Sequence, residues 1–154
     1  MKERSIALRA AAPSDFEFAW RLYRDLMQPL TEELLEWHED KQRIVVAEAV
    51  KSGEAQVISL DGRDVGWLQV RDLANEIWLL QLYVGRDCQR RGIGTRVVND
   101  LKSRSRVQQK AIVLDVMKNN RARRLYERLG FQVVGESEYK LSMIWRDKSC
   151  RQNR

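Results

Sequence analysis

Cysteine and histidine are scarce in this sequence. The 154 residues contain two cysteines, Cys88 and Cys150, and one histidine, His38. Two widely separated cysteines do not suggest a disulfide framework or a metal site, and we expect neither. Cys88 is the one candidate for a nucleophilic thiol, but the only histidine that could activate it lies far away along the chain. This argues against a cysteine mechanism.

Long apolar runs are also missing. No apolar run is long enough for a signal peptide or a membrane span, and no internal repeat or low-complexity tract is present. A chain of this length fits one domain with a hydrophobic core. We therefore expect a single cytoplasmic domain over residues 1–146, no membrane partner, and a polar tail at 147–154.

Positive charge is unevenly distributed along the chain. The formal net charge is +6, but residues 1–85 carry 10 basic and 15 acidic side chains, whereas residues 86–128 carry 13 basic and 4 acidic ones. A basic balance can indicate nucleic-acid binding, but the sequence lacks interleaved aromatic and basic residues that would form a stacking platform. The concentrated charge favours a ligand with several phosphate charges, and the alternative is a solvated basic face.

One stretch joins a buried strand to a helix through a glycine turn. Residues 77–84 (IWLLQLYV) are almost wholly apolar, which is typical of a strand buried on both faces, and apolar side chains recur at helical spacing from Ile93. Between them, Gly92 and Gly94 allow a tight turn and close approach of a ligand to the backbone. A helix that begins there points unpaired N–H groups at an anion such as phosphate.

The spacing of the glycines separates three kinds of phosphate-binding loop. A dinucleotide loop would have a third glycine where Val97 stands, and no glycine pair is followed by the Lys-Ser or Lys-Thr of a nucleoside-triphosphate loop. The remaining pattern, Gln89-Arg90-Arg91-Gly92-Ile93-Gly94, resembles the acyl-CoA pyrophosphate loop Q-x-x-G-x-G of the GNAT superfamily of N-acetyltransferases. An ordinary glycine turn into a helix is the alternative for this motif alone.

A second stretch, residues 116–131, resembles the other GNAT signature, V-x-x-N-x-x-A-x-x-x-Y-x-x-x-G-F. Its defining positions are Val116, Asn119, Ala122, Tyr126, Gly130 and Phe131. Gly130 follows the helical part of the pattern, as a C-terminal cap would. Two signatures in this order, with a strand between them, are much more specific than either one.

The resemblance implies an α/β (α+β) fold. We expect a mixed, mostly antiparallel sheet of about seven strands with helices on both faces, in which the fourth and fifth strands are parallel and splayed. The patterns predict strands at 6–10, 55–60, 64–70, 77–84, 110–116, 131–134 and 139–145. They also predict helices from residue 93 and at 120–129.

Two further helices are predicted near the N-terminus. Ser14 and Glu17 have the spacing of a capping box for the first helix, and Pro29 is expected to end it. Thr31 is the expected N-cap of the second, which continues towards Val50.

The resemblance also implies where acetyl-CoA (coenzyme A) binds. The strand backbone at Leu82, Tyr83 and Val84 is expected to contact the pantetheine arm, as is Asn119. The pyrophosphate is expected to lie on the backbone amides of Gln89, Arg90, Arg91, Gly92, Ile93, Gly94 and Thr95, with Arg90 or Arg91 adding charge. No metal is required.

The implied reaction is direct attack of an amine on the thioester in a ternary complex. The amine must be neutral, because an alkylammonium of pKa about 10.4 has no lone pair. A donor to the carbonyl oxygen is commonly worth about 3 to 4 kcal/mol, and the main-chain N–H of Val84 or of a neighbouring residue is the candidate. Tyr126 is the implied general acid, although a thiol of pKa roughly 8.5 leaves tolerably well without help.

The general base is not identified by the sequence. No carboxylate stands in the middle of the strand at 77–84, although Glu76 lies at its start and Gln81 could orient a water. Glu33 or Glu36 could instead lead the proton to solvent.

The resemblance implies that the acceptor binds beside the first two helices. Trp37 and His38, together with Glu33 and Glu36, are candidate contacts, and the acidic first half favours a cationic amine, either a small molecule or a peptide or lysine amine. The competing function is a non-catalytic coenzyme A-binding regulator or a basic nucleic-acid-associated module on the same fold. Homodimer formation is left open.

Overall fold

The fold was obtained as a computed structural model, which describes residues 5–148. Cys150 and most of the predicted tail lie outside the described residues. Within residues 5–148, seven strands form one sheet: β1 (Ile6–Ala10), β2 (Ala55–Leu60), β3 (Arg63–Asp72), β4 (Glu76–Val84), β5 (Ala111–Met117), β6 (Gln132–Glu136) and β7 (Lys140–Trp145). The same range contains four α-helices: α1 (Phe16–Leu34), α2 (Glu39–Lys51), α3 (Ile93–Gln108) and α4 (Ala122–Arg128).

The sheet has the order β1-β2-β3-β4-β5-β7-β6. The pairs β1–β2, β2–β3, β5–β7 and β6–β7 are antiparallel, and β4–β5 is parallel. The parallel ladder joins residues 76–78 to residues 111–113, whereas residues 79–84 of β4 and 114–117 of β5 lie beyond its last pair. The chain returns through α3, the kind of crossover that parallel strands need. These observations confirm the predicted mixed sheet with parted fourth and fifth strands.

The described chain forms two compact units, one of residues 5–70 and 81–93 and the other of residues 71–80 and 94–148. In the first unit, Trp20 and Trp67 are the largest fully buried side chains. In the second, Ile112 and Met143 are buried to a similar degree. The single domain over residues 1–146 stays a prediction. In the described part of the chain, no helix is both long and apolar enough to cross a bilayer.

The start of α1 is organised by Asp15. A short 3-10 turn, Pro13–Asp15, precedes the helix, and the Asp15 carboxylate accepts the N–H of Ala12 at 2.8 Å. The same carboxylate receives two guanidinium bonds from Arg9, at 2.8 and 2.9 Å, which hold its pKa below the ordinary value. The predicted capping box at Ser14 and Glu17 is therefore wrong, because a neighbouring carboxylate takes the role.

The sequence predicted that Pro29 would end α1, but this prediction is wrong. Pro29 lies inside the helix, Thr31 is buried two residues later, and α2 begins only at Glu39. A proline has no N–H, so the carbonyl of Asp25, four residues earlier, loses its helical donor. Arg86 replaces this donor, because one guanidinium nitrogen donates to that carbonyl at 2.6 Å and another to the Asp25 carboxylate at 3.0 Å. The helix continues because a distant side chain satisfies the freed carbonyl.

Candidate functional site

The predicted site residues lie in two segments of the chain. One segment runs from the end of β4 through the loop into α3, and the other runs from the turn after β5 into α4. Leu82, Tyr83, Val84, Gly94, Thr95 and Asn119 are half-buried; Gln89, Arg90, Arg91 and Gly92 are exposed; Ile93 and Tyr126 are buried.

The end of β4 directs one backbone N–H away from β3. Gly85 donates its N–H to the carbonyl of Val65 at 2.8 Å, and the carbonyl oxygen of Tyr83 would stand 2.3 Å from a Cβ built on Gly66. Across a trans peptide bond the carbonyl and the following N–H point in opposite directions, and no peptide bond of the described residues is cis. The N–H of Val84 therefore points away from β3.

Gln89 ties the loop to the end of the strand. Its Nε2 donates to the carbonyl of Val84 at 2.9 Å. The side chain of the first motif residue thus holds the turn, while its backbone amide belongs to the predicted phosphate loop. Because the carbonyl of Val84 accepts the bond from Gln89, the N–H of Val84 is the backbone group of this residue that we assign to a ligand.

The loop contains two left-handed residues, Arg90 with φ 63° and Gly92 with φ 80°. A non-glycine residue in this conformation costs about 1 to 2 kcal/mol. Left-handed residues within a turn bring successive N–H groups to one concave side, which suits an anion. No atom lies within 4 Å of a Cβ built on Gly92, so a side chain would fit here sterically. Glycine is favoured at this position because of its left-handed backbone conformation.

The second glycine of the motif has a different role. A Cβ on Gly94 would stand 3.0 Å from Cδ2 of Leu125, so the absent side chain allows α4 to pack on the first turn of α3. The helix is anchored by Ile93, which is buried at its first position. The first N–H groups of a helix have no partner within it, and here they follow the left-handed loop.

The turn into α4 is capped by a residue next to the signature asparagine. Asn120 accepts the N–H of Ala122 through Oδ1 at 2.9 Å. Asn119, the residue of the signature, precedes this cap in the turn that follows β5. The two consecutive asparagines therefore have different roles. Asn120 caps the helix, and Asn119 stays the predicted cofactor contact.

Tyr126 lies in α4, and its side chain is buried. Its side chain is only 6% exposed, and its ring lies 5.6 Å from that of Phe131. Burial raises the pKa of Tyr126 to about 12. At the end of the helix, Lys102 donates to the carbonyl of Leu129 and lies 5.0 Å from the ring centre of Trp145, and burial lowers the pKa of this lysine. The phenol is therefore neutral at physiological pH and sits on a helix with a fixed C-terminus.

The predicted acceptor contacts differ in their surroundings. Trp37 is half-buried, with its ring 6.2 Å from Trp20 and 6.1 Å from Tyr23, so it packs in an aromatic cluster. His38 is about half exposed and lies 3.7 Å from the carboxylate of Glu36. Glu33 is exposed as well. Their roles towards an acceptor stay predictions.

Cys88 is too enclosed to reach a substrate as a nucleophile, although a guanidinium lies beside its sulfur. It is 2% exposed, and its Sγ lies 3.6 Å from a guanidinium nitrogen of Arg63. A buried thiol of this kind packs like a small apolar side chain.

Comparison with known proteins decides the family. The model of the acetyltransferase (GNAT) domain matches residues 40–133, more than half of the chain. The chain belongs to the GNAT acetyltransferase family. No curated protein sequence matches it significantly.

Solved structures show the same fold as this GNAT protein at low sequence identity. PaiA N-acetyltransferase from Thermoplasma acidophilum, in complex with coenzyme A, is 16% identical with a TM-score of 0.72 over 93% of this chain and 99% of that one. An acetyltransferase from Thermus thermophilus is 17% identical with a TM-score of 0.72, over 93% and 97% of the two chains. Arabidopsis thaliana Naa50 in complex with the bisubstrate analogue CoA-Ac-MVNAL is also 17% identical, with a TM-score of 0.68 over 93% and 99%.

This GNAT protein also has a chain of polar side chains that the sequence reading missed. Tyr83 donates its hydroxyl proton to Oε1 of Gln81 at 3.1 Å, Gln81 donates to Oε1 of Gln69 at 2.8 Å, and Gln69 donates to the Glu54 carboxylate at 2.9 Å. Gln69 is 7% exposed. The available signal was a glutamine within each of two otherwise apolar strand segments.

Proposed function

We propose that this GNAT protein transfers the acetyl group of acetyl-CoA to a primary amine by direct attack in a ternary complex. One observation carries the proposal: the N–H of Val84 points away from β3, directly before a loop of left-handed residues that leads into α3. This arrangement offers a donor for a thioester oxygen and a cradle for a diphosphate on one continuous segment.

The residues around the loop suit coenzyme A. The backbone amides of residues 89–95 would hold the pyrophosphate, and the exposed Arg90 and Arg91 would add charge. The segment from 86 to 128 carries the excess of basic side chains that several phosphates require. The complex of the Thermoplasma paiA protein with coenzyme A gives further support.

The donor at Val84 acts while the amine attacks. A neutral amine forms the new C–N bond, and negative charge develops on the carbonyl oxygen before the C–S bond breaks. An N–H fixed in the strand needs no reorganisation to stabilise that charge, and such a donor is worth about 3 to 4 kcal/mol. The proton released by the amine passes to solvent.

Tyr126 acts best as a hydrogen-bond donor to the leaving sulfur. Transfer of a proton from a phenol of pKa about 12 to a thiolate of pKa about 8.5 is uphill by about 4.8 kcal/mol. A hydrogen bond to the developing thiolate needs no such transfer and contributes about 1.5 to 3 kcal/mol. The sulfur then receives its proton from water, and Tyr126→Phe is expected to slow turnover roughly 10- to 150-fold.

The acceptor belongs to the class of primary amines. Naa50 was solved with an analogue that joins coenzyme A to a peptide, so short peptides belong in an acceptor screen beside small amines. The acidic first half of the chain favours cationic acceptors, which react as the neutral amine after losing a proton.

A thiol-release screen tests the proposal. Acetyl-CoA is incubated with polyamines, aminoglycosides, amino acids and short peptides, while calorimetry measures coenzyme A binding separately. Thiol release with at least one amine, reduced in Tyr126→Phe, is the expected result. Tight coenzyme A binding without release across the panel would instead support a regulator.

A further inference from the structure

The chain from Glu54 to Tyr83 has only one possible direction of hydrogen bonding. A carboxylate has no proton to donate, so the side-chain NH₂ of Gln69 must face Glu54. The Gln69 oxygen then faces Gln81, which must present its own NH₂ there and its oxygen to Tyr83. Each amide orientation follows from the one before it. The ionised Glu54 therefore requires the Tyr83 hydroxyl to donate into the chain.

This direction decides what the Tyr83 oxygen can offer to a substrate. A phenol has one proton and two lone pairs, and the proton is directed to Gln81. Towards any further group the oxygen is thus a hydrogen-bond acceptor. Donors in a connected chain polarise one another, so the carboxylate at the far end increases the electron density of the phenol oxygen.

The ring of Tyr83 is held by its neighbours. Tyr23 meets it edge to face at a centroid distance of 5.4 Å and an angle of 89°, and Trp67 lies 5.1 Å away. Side chains two residues apart leave a strand on the same face, so Tyr83 and Gln81 share one face of β4. Val84, the next residue, carries the N–H assigned to the thioester oxygen. An acceptor placed at Tyr83 is therefore one residue from the proposed reaction centre.

We propose that the Tyr83 hydroxyl oxygen receives an N–H of the attacking amine, and that Glu54 is a positioning residue that keeps this oxygen in its acceptor state. The inference rests on the proposed acetyltransferase function and adds a determinant of acceptor recognition. The amine holds one N–H on Tyr83 while its lone pair faces the thioester carbon. Tyr83 makes no bond to the acetyl group and removes no proton.

Variants of Glu54 test the direction of the chain. Glu54→Lys replaces an acceptor by a donor, so it reverses both amides and turns the Tyr83 proton outwards. Glu54→Gln permits either direction and is expected to have an effect between those of wild type and Glu54→Lys. Glu48→Lys, an equal charge change at an exposed position of α2, is the matched control.

Steady-state kinetics with the best amine of the screen provide the readout. Tyr83→Phe and Glu54→Lys are each expected to lower kcat/KM for the amine roughly tenfold, with an unchanged KM for acetyl-CoA and an unaffected Glu48→Lys control. In the Tyr83→Phe background, Glu54→Lys should have no further effect, because both changes act through one oxygen.

The possible outcomes separate the inference from the proposed function. Full amine activity in Tyr83→Phe would overturn the inference and leave the acetyltransferase proposal standing. An undiminished effect of Glu54→Lys in the Tyr83→Phe background would also overturn it, because the lysine would then act through stability or charge. If Glu54→Lys does not fold, the same cycle with Glu54→Gln decides. A wild-type protein without thiol release would contradict the proposed function itself.

Discussion

The buried phenol of Tyr126 should make the protein unstable at alkaline pH. Burial raises its pKa from 10.0 to about 12, so the native state holds the proton more tightly than the unfolded chain does. A raised pKa of this kind contributes stability that is fully present below pH 10 and is lost as the pH rises through 12. The complete loss amounts to about 2.7 kcal/mol, of which about 1.4 kcal/mol is lost by pH 11.

Tyr126→Phe removes the ionisable group and keeps the ring. Urea unfolding of both proteins at intervals from pH 8 to 11 gives the free energy of unfolding of each. The wild type should lose about 1.4 kcal/mol more than Tyr126→Phe over this range. Other alkaline groups, such as the buried Lys102, are present in both proteins and cancel in the difference.

Parallel curves for the two proteins would refute the reasoning. They would mean that the phenol reaches water in the native state or that the unfolded chain binds its proton equally well. In that case the argument that Tyr126 is too weak an acid to protonate the thiolate would also fail. A pH profile of kcat would then be expected to contain a tyrosine ionisation near pH 10.

Three further perturbations follow from the structure. Gly66→Ala places a methyl group 2.3 Å from the Tyr83 carbonyl oxygen, which should displace the end of β4. The affinity for coenzyme A, measured by calorimetry, should fall, and the free energy of unfolding should fall by about 1 to 3 kcal/mol. An unchanged affinity would contradict the close approach of β3 and β4. Asp72→Asn should flatten the acid side of the stability curve, because hydrogen bonds chiefly from Lys110 lower the Asp72 pKa to about 2, and stability present above about pH 4 is lost towards pH 2. Arg86→Met should lower the free energy of unfolding more in the wild type than in a Pro29→Ala background, because the alanine at that position has an N–H that can donate to the Asp25 carbonyl in place of Arg86. Equal losses in the two backgrounds, measured by urea unfolding, would be inconsistent with this account.

The strand, loop and helix at the centre of the fold could be predicted because their signals are local. The apolar run before Val84, the glycines at 92 and 94, and the helical spacing from Ile93 all lie within 25 residues, and each follows from backbone geometry. The same holds for the parallel fourth and fifth strands, because a helix between two strands is the usual crossover.

The helix boundaries near Pro29 could not be predicted in this way. The rule that a proline ends a helix assumes that the freed carbonyl finds no other donor. Here the donor is Arg86, which lies 61 residues from Asp25 along the chain. At the start of α1, Asp15 is preferred over Ser14 because it also receives the guanidinium of Arg9 from β1. The first departure comes from a long-range contact, and the second from a contact between β1 and the start of α1, six residues apart along the chain.

The hydrogen-bond chain at Tyr83 was missed for a related reason. Gln69 and Gln81 stand in different strands, and Glu54 lies just before a third. Their contacts depend on the register of neighbouring strands, which no single segment specifies. The sequence drew attention to Gln81 only as a group that could orient a water.

Backbone amide shifts measured by ¹⁵N NMR test the central claim most directly, which is that N–H groups at the end of β4 and in the loop hold the thioester and the diphosphate. Acetyl-CoA and S-acetylpantetheine, which keeps the thioester but lacks the diphosphate, are titrated separately. We predict that acetyl-CoA shifts the amide signals of Val84, Gly92 and Gly94, whereas S-acetylpantetheine shifts only that of Val84. Acetyl-CoA binding that leaves the signals of Gly92 and Gly94 unmoved would contradict the account.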